Sequence, residues 1–323
     1  MSDAGYEQLQ QAADWYARLF DGEAGEAEQA AWREWLERRP EHRQAWAVVS
    51  RVGERFAPFR QGEGRGAAFD ALQAPARTPL GRRRALLSLG LLAVGSALAW
   101  RGTRDTVLGE HLQAALADQA TAVGERRELG LPDGGKLWLN SLSAVDLAYT
   151  GVQRRLDLRA GEILLQVPRD ARGPLRVATE LGWVESAQAT LGICLRRDGL
   201  CLSVFDGQAA LQDLRGTRRL VEAGSQLQLT SAGFGALQAA EPARRSWVQG
   251  VFVADGTPLW RLVEDLGRQR HGYLGCSPEV AQLKLVGSFP LADSDRALEL
   301  LPQVLPVRIS RTLPWWVSIE ARA

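Results

Sequence analysis

Three histidines, three cysteines and eleven tryptophans are the residues whose types and spacing could do chemistry in this chain of 323 residues. His42, His111 and His271 fall in three separate segments, and none has a second histidine or cysteine at ligand spacing, so a structural or catalytic metal has no footing. His42 reads as a helix-surface or capping residue. No nucleophile-elbow or phosphate-loop motif occurs and no paired carboxylates stand out, so catalytic, cofactor-binding and metal-binding residues are each expected to be none. Cys194 and Cys201 flank a tight turn, Arg196-Arg197-Asp198-Gly199, and strand register decides their fate. Directly opposite, they can form a disulfide; slipped by one residue, they point to opposite faces. A disulfide and a pair of small buried hydrophobes both remain open. No Cys-x-x-Cys spacing supports a redox pair. What remains is recognition by aromatic anchors, which dominate interface hot spots: Trp15, Trp32, Trp35 and Trp46, with Leu36, near one end, and Trp315-Trp316 near the other.

The elements that carry these residues follow from periodicity. Leu9, Ala12, Ala13, Tyr16 and Leu19 recur at helical spacing, with Trp15 and Phe20 widening the stripe, and Asp21-Gly22 ends the helix. A second helix over residues 25–39 places Ala27, Ala31 and Trp35, beside Trp32 and Leu36, on one face. Pro40 opens a third, in which Ala45, Val49, Val52, Phe56 and Phe59 repeat. A bundle this small buries little surface, so its tryptophans can serve a core, a partner or both. Two tryptophans three residues apart on the second helix cannot easily both be buried. Net charge is +1 with pI near 7.8, which gives no electrostatic ground for direct nucleic-acid binding.

Ala85 to Trp100 is a run of sixteen residues without a charge, preceded by Arg82, Arg83 and Arg84. At 1.5 Å per residue it covers about 24 Å as a helix, marginal against a hydrocarbon core of about 30 Å. It reads as a single transmembrane helix, and the basic residues before it place the N-terminus in the cytoplasm and the C-terminus in the periplasm, with the chain in the inner membrane. Around that span the expected organisation is a cytoplasmic helical domain at 1–60, a Gly-, Pro- and Arg-rich linker at 61–84, the span at 85–100 and a juxtamembrane segment at 101–120. Short alternating runs punctuated by Pro132-Asp133-Gly134-Gly135, Asp198-Gly199, Asp206-Gly207 and Ala223-Gly224 predict an all-β domain at 121–240, solenoid- or sandwich-like. Residues 245–323 read as a small α+β domain in β-α-β-β-α-β order, a split βαβ unit closed by a hairpin that carries Trp315-Trp316 near its exposed end, one ring packed inside and one available to a partner.

Several of these stretches together resemble a known family. AADWYARL, then AAWREWLERRPEHRQAWAVVSRV, with Trp15, Trp35, Leu36, Pro40, His42 and Trp46 at matching spacing, resembles the N-terminal anti-sigma domain of FecR-type regulators. LPDGGKLWLNSLS, RRLDLRAGEILLQV and VFDGQAAL resemble the exported domain of the same family, and the C-terminal domain resembles the short domain at the N-termini of secretins and TonB-dependent receptors. The resemblance implies a transmembrane anti-sigma regulator of iron and siderophore uptake. Its partners would be an extracytoplasmic-function sigma factor, met through Trp15, Trp32, Trp35, Leu36 and Trp46, and the signalling domain of a TonB-dependent outer-membrane receptor, met through Trp315 and Trp316. An intramembrane site-2-type protease would cut the span. Some members of the family cut themselves at a Gly-Thr step; here Thr190 follows Ala189, which puts that cleavage in doubt. The rival readings are a membrane-anchored periplasmic enzyme and a structural envelope protein.

Overall fold

The computed structural model describes residues 5–20, 25–56, 117–150, 153–170 and 173–322. Its chain divides into two compact units, one built from both ends (Met1–Ala74 with Gly250–Ala323) and one from the middle (Pro75–Gln249).

In the first unit, α1 (Tyr6–Phe20), α2 (Glu26–Arg38) and α3 (Pro40–Phe56) form the helical part. Leu9, Ala12, Ala13 and Tyr16 make the buried stripe of α1, and Ala45, Val49 and Phe56 that of α3. Small residues let these two helices approach closely. At Gly53 an added Cβ would fall far inside contact distance of the Tyr16 ring, so the ring lies where only glycine leaves room. α2 buries Trp35 alone.

The middle unit is a β-module whose two long strands, β5 (Arg154–Val167) and β9 (Gly199–Asp213), each take part in two sheets. The first half of β5 pairs with β4 (Ala144–Tyr149) and β6 (Leu175–Ala178); its second half pairs with β3 (Lys136–Leu139) and β8 (Ala189–Arg196). β9 mirrors this, pairing first with β8 and β11 (Ser225–Thr230) and then with β7 (Gly182–Ser186) and β10 (Arg218–Glu222). Short strands β1 (Gln119–Ala120), β2 (Arg127–Gly130), β12 (Gly233–Phe234) and β13 (Gln238–Ala239) extend the edges. Each long strand changes sheets at a glycine with positive φ, Gly161 (94°) and Gly207 (75°). A side chain at Gly207 would strike the Gln188 carbonyl oxygen, and one at Gly161 would strike Ser143, so both crossings require glycine. Alternate residues of the strands face inward, and Leu137, Leu156, Ile163, Leu165, Leu191, Leu202 and Leu211 are fully buried in one aliphatic core.

A 3-10 helix over Pro242–Gln249 ends the middle unit. The first unit resumes as β14 (Val251–Pro258), α4 (Leu259–Gln269), β15 (Tyr273–Cys276), α5 (Pro278–Ala281), β16 (Lys284–Pro290), α6 (Ser294–Val304), β17 (Val307–Leu313) and β18 (Trp316–Ala321). Leu259, Leu262, Val263 and Leu266 are the buried face of α4. Asp293 caps α6 by accepting a hydrogen bond from the Arg296 amide at 2.9 Å.

Two expectations need correction, and one falls on residues beyond those described. The expected transmembrane helix at 85–100 lies outside the described residues, and among the described residues no helix is long and apolar enough to cross a membrane. The expected separation of a helical domain from the C-terminal domain fails for a physical reason: α1 and α3 share a buried core with the turn and strand at 315–316. A single split-βαβ sheet does not form either. β14 pairs only with β16, antiparallel, while β15 pairs parallel with β18, which pairs antiparallel with β17, leaving a two-stranded and a three-stranded sheet.

A candidate aromatic interface

Six aromatic rings form a continuous series within the first unit. Tyr273 stacks on Trp316 at 3.8 Å between ring centres, Trp316 meets Trp315 edge-on at 6.1 Å, and Trp315 meets Tyr16 edge-on at 5.4 Å. Tyr16 in turn lies 5.8 Å from Trp46, which lies 4.9 Å from Trp32. The separations of 4.9 to 6.1 Å in this series fall in the range at which aromatic pairs attract beyond simple area burial. Trp315 occupies the two-residue turn between β17 and β18, and Phe56 of α3 stacks on it at 5.7 Å, so its indole is held between α1 and α3.

Polar handles fix the register of this contact. The Gln10 amide on α1 donates to the Thr312 hydroxyl at 2.7 Å, and its carbonyl oxygen accepts from Trp316 Nε1 at 3.4 Å and from the Ser318 hydroxyl at 3.3 Å. Tyr6 donates to Glu320 at 3.5 Å. Burial, the largest cause, raises the pKa of Tyr6 and of Tyr273. His271, which follows α4, has its pKa lowered, first by burial and then by the positive charge of Arg55 on α3.

The residues singled out from the sequence divide into two groups. Trp15, Trp32, Leu36 and Trp46 are half-buried and flank the core. Trp15 sits 6.5 Å from Trp35 and under the Arg18 guanidinium at 5.6 Å. Trp32 Nε1 is buried without a hydrogen-bond partner. Trp35 is a core residue rather than a surface anchor: its indole donates to Gln11 at 3.0 Å and stacks on His42 at 4.4 Å. His42 is buried too, its Nδ1 2.6 Å from the Trp35 carbonyl oxygen in the last turn of α2, which excludes the helix-surface role and agrees with the capping role, the two alternatives expected for it. Trp315 and Trp316 are 4% and 0% exposed, so neither ring is open to a partner in this state, because the helices cover them. Gln10, Thr312 and Tyr273 were not visible as site residues. Positions 10 and 312 are 302 residues apart, and no periodicity links them.

In the β-module, Cys194 and Cys201 are register partners on β8 and β9, and no disulfide joins them. Burial, the largest cause, raises the pKa of the Cys201 thiol, with Arg244 opposing. Among the described residues no group of three or more His, Cys, Asp or Glu side chains could hold a metal ion. Both Asp133 and Arg154 have fully buried side chains and pair at 3.0 Å, and Tyr149 donates to Asp133 at 3.3 Å, a structural network at the mouth of β5.

Residues 117–210 match the model of the FecR protein family, and residues 10–52 match a domain of unknown function, DUF4880, so the FecR resemblance is shown over those two stretches. Two crystal structures of a candidate anti-sigma factor from Parabacteroides distasonis are similar to this chain. They superpose with TM-scores of 0.53 and 0.54 at 18% identity, covering 64% of this chain and 98% and 99% of those chains. At that identity the likeness is one of fold. No curated protein matches.

Proposed function

We propose that this chain is an anti-sigma regulator whose N-terminal helices bind a sigma factor of the extracytoplasmic-function class. The observation that carries this reading is the FecR match over 117–210, joined in the same chain to a helical domain at 10–52. Half-buried rings at Trp15, Trp32 and Trp46, with Leu36 beside them, supply the apolar edge such a partner would cover. The β-module and the C-terminal domain would receive the signal, from the signalling domain of a TonB-dependent outer-membrane receptor in iron or siderophore uptake. Trp315 and Trp316 are not offered as the receptor surface, since both are buried.

The test is titration of the full chain with each purified extracytoplasmic-function sigma factor of the source organism. Saturable binding that weakens at least tenfold in Trp32→Ala with Trp46→Ala, in a protein that keeps its circular dichroism spectrum, supports the reading. Absence of binding by the wild-type chain overturns it.

A further inference from the structure

We propose that Cys194 and Cys201 are the site of a reversible cross-strand disulfide, made and broken by exchange with a disulfide of the glutathione or oxidoreductase class. The site lies wholly within the β-module and does not depend on the reading of the chain as an anti-sigma regulator.

Three observations carry it. The first is register. Cys194 on β8 stands directly opposite Cys201 on β9, and opposed residues of an antiparallel pair point to the same face. Opposed Cα atoms lie about 4.5–5.5 Å apart, inside the range of about 4.4–6.8 Å that a disulfide spans. Opposed Cβ atoms lie about 4.5–5.5 Å apart and a disulfide holds them at about 3.5–4.5 Å, so the bond draws the two strands together and is reduced more readily than a relaxed one. The second is place. Ile163, Ile193, Leu202 and Leu227 face the aliphatic core, whereas Glu162, Cys194, Cys201 and Gln228 form one row across β5, β8, β9 and β11 on the other face. The 3-10 helix at Pro242–Gln249 packs on this row: Arg244 reaches Glu162 at 3.6 Å, and the Arg245 guanidinium lies 5.8 Å over the Phe205 ring. Cys194 is buried there and Cys201 half-buried, which fixes the order of exchange. The third is charge. Arg244 and Arg196 favour the Cys201 thiolate, while burial, the larger effect, holds its pKa up. Cys201 is therefore a slow nucleophile that comes to equilibrium with its surroundings.

In the exchange, the Cys201 thiolate attacks one sulfur of the incoming disulfide and expels the other as a thiolate. Cys194 then gives up its proton and attacks the Cys201 sulfur of the mixed disulfide, expelling the second thiolate. Two protein thiols are oxidised, the incoming disulfide is reduced to two thiols, and the two protons go to those leaving groups.

The test incubates the folded full chain with oxidised glutathione, quenches it in acid, alkylates it with N-ethylmaleimide and reads its tryptic peptides by mass spectrometry without reduction. Cleavage after Arg196 and Arg197 separates the two cysteines, so the bond appears as two joined peptides, lighter by two hydrogens than their sum. The expected result is that joined pair. An excess of reduced glutathione added to the folded protein should then restore both thiols. In Cys201→Ser, in a protein that keeps its circular dichroism spectrum, Cys194 should take up glutathione at least about tenfold more slowly than the wild-type chain forms its link, because the buried thiol is not the point of entry. Two alkylated thiols after oxidation, glutathione on both cysteines without a link, or a bond from either to Cys276 overturns the proposal. A link that yields only when the chain is unfolded overturns its reversibility, and equal rates in Cys201→Ser and wild type overturn the order of attack.

Discussion

The two units are held together by different chemistry. In the β-module the core is aliphatic, with leucine, isoleucine and valine from adjacent hairpins interleaving across two sheets, and the strands that bury them are close in sequence. The unit formed by the chain ends has an aromatic core, and its decisive contacts join residues more than 300 positions apart through rings and neutral hydrogen bonds. An aliphatic core has no alternative partner in water and stays closed. Aromatic rings with polar edges tolerate either a protein partner or solvent at one side. One region is thereby closed by aliphatic packing between strands near in sequence and the other by rings and neutral hydrogen bonds between the chain ends.

If that contrast holds, damage to the β-module should be large and confined to it. Asp133→Asn leaves the fully buried Arg154 guanidinium without its counter-charge, and breaking such a pair costs about 3–5 kcal/mol. Calorimetry should show the β-module's transition fall while that of the end unit stays in place. Leu202→Ala, at a position with no exposure, should cost about 2–5 kcal/mol in the same transition. A shift of both transitions together by either variant would dissolve the distinction between the units.

The junction of the chain ends should respond more weakly. Gln10→Ala leaves Trp316 Nε1 and the Ser318 hydroxyl without their acceptor, at about 1–3 kcal/mol, read as a lower melting temperature of the end unit only. Smallest is the effect of pH. Burial and Arg55 lower the pKa of His271 in the folded protein, so below the ordinary histidine value the unfolded chain binds the proton more readily. The end unit's stability is then full above about pH 6.5 and falls as pH drops below it, with a slope under about 1.4 kcal/mol per pH unit for one partly exposed group. His271→Gln should flatten that slope in denaturant titrations at pH 5 to 7; an unchanged slope would assign it to another group.

The sequence made local order legible and long-range order illegible, for the same reason. The stripe Leu9, Ala12, Ala13 and Tyr16 is buried as its spacing requires, because helix periodicity is a property of neighbours. The turn at Arg197-Asp198 sets the β8–β9 hairpin and brings Cys194 opposite Cys201, again a local matter, whereas Asp206-Gly207, expected as a turn, lies inside β9. That β5 and β9 each change sheets at Gly161 and Gly207 was not apparent, since a crossing strand and an ordinary strand share one alternation. Of Trp315 and Trp316, one ring was expected inside and one open to a partner; both are buried, because the helices that cover them come from the opposite end of the chain. Likewise Trp35 was read as an anchor when Gln11 on α1 and His42 on α3, the helices before and after its own, make it core.

Hydrogen exchange on the intact chain, wild type against Gln10→Ala, tests most directly whether the chain ends form one cooperative unit apart from the β-module. The account predicts that protection falls together in α1 and in residues 273–276 and 316–321, with residues 189–204 unchanged. Loss of protection in α1 alone, with 316–321 as protected as before, would contradict it.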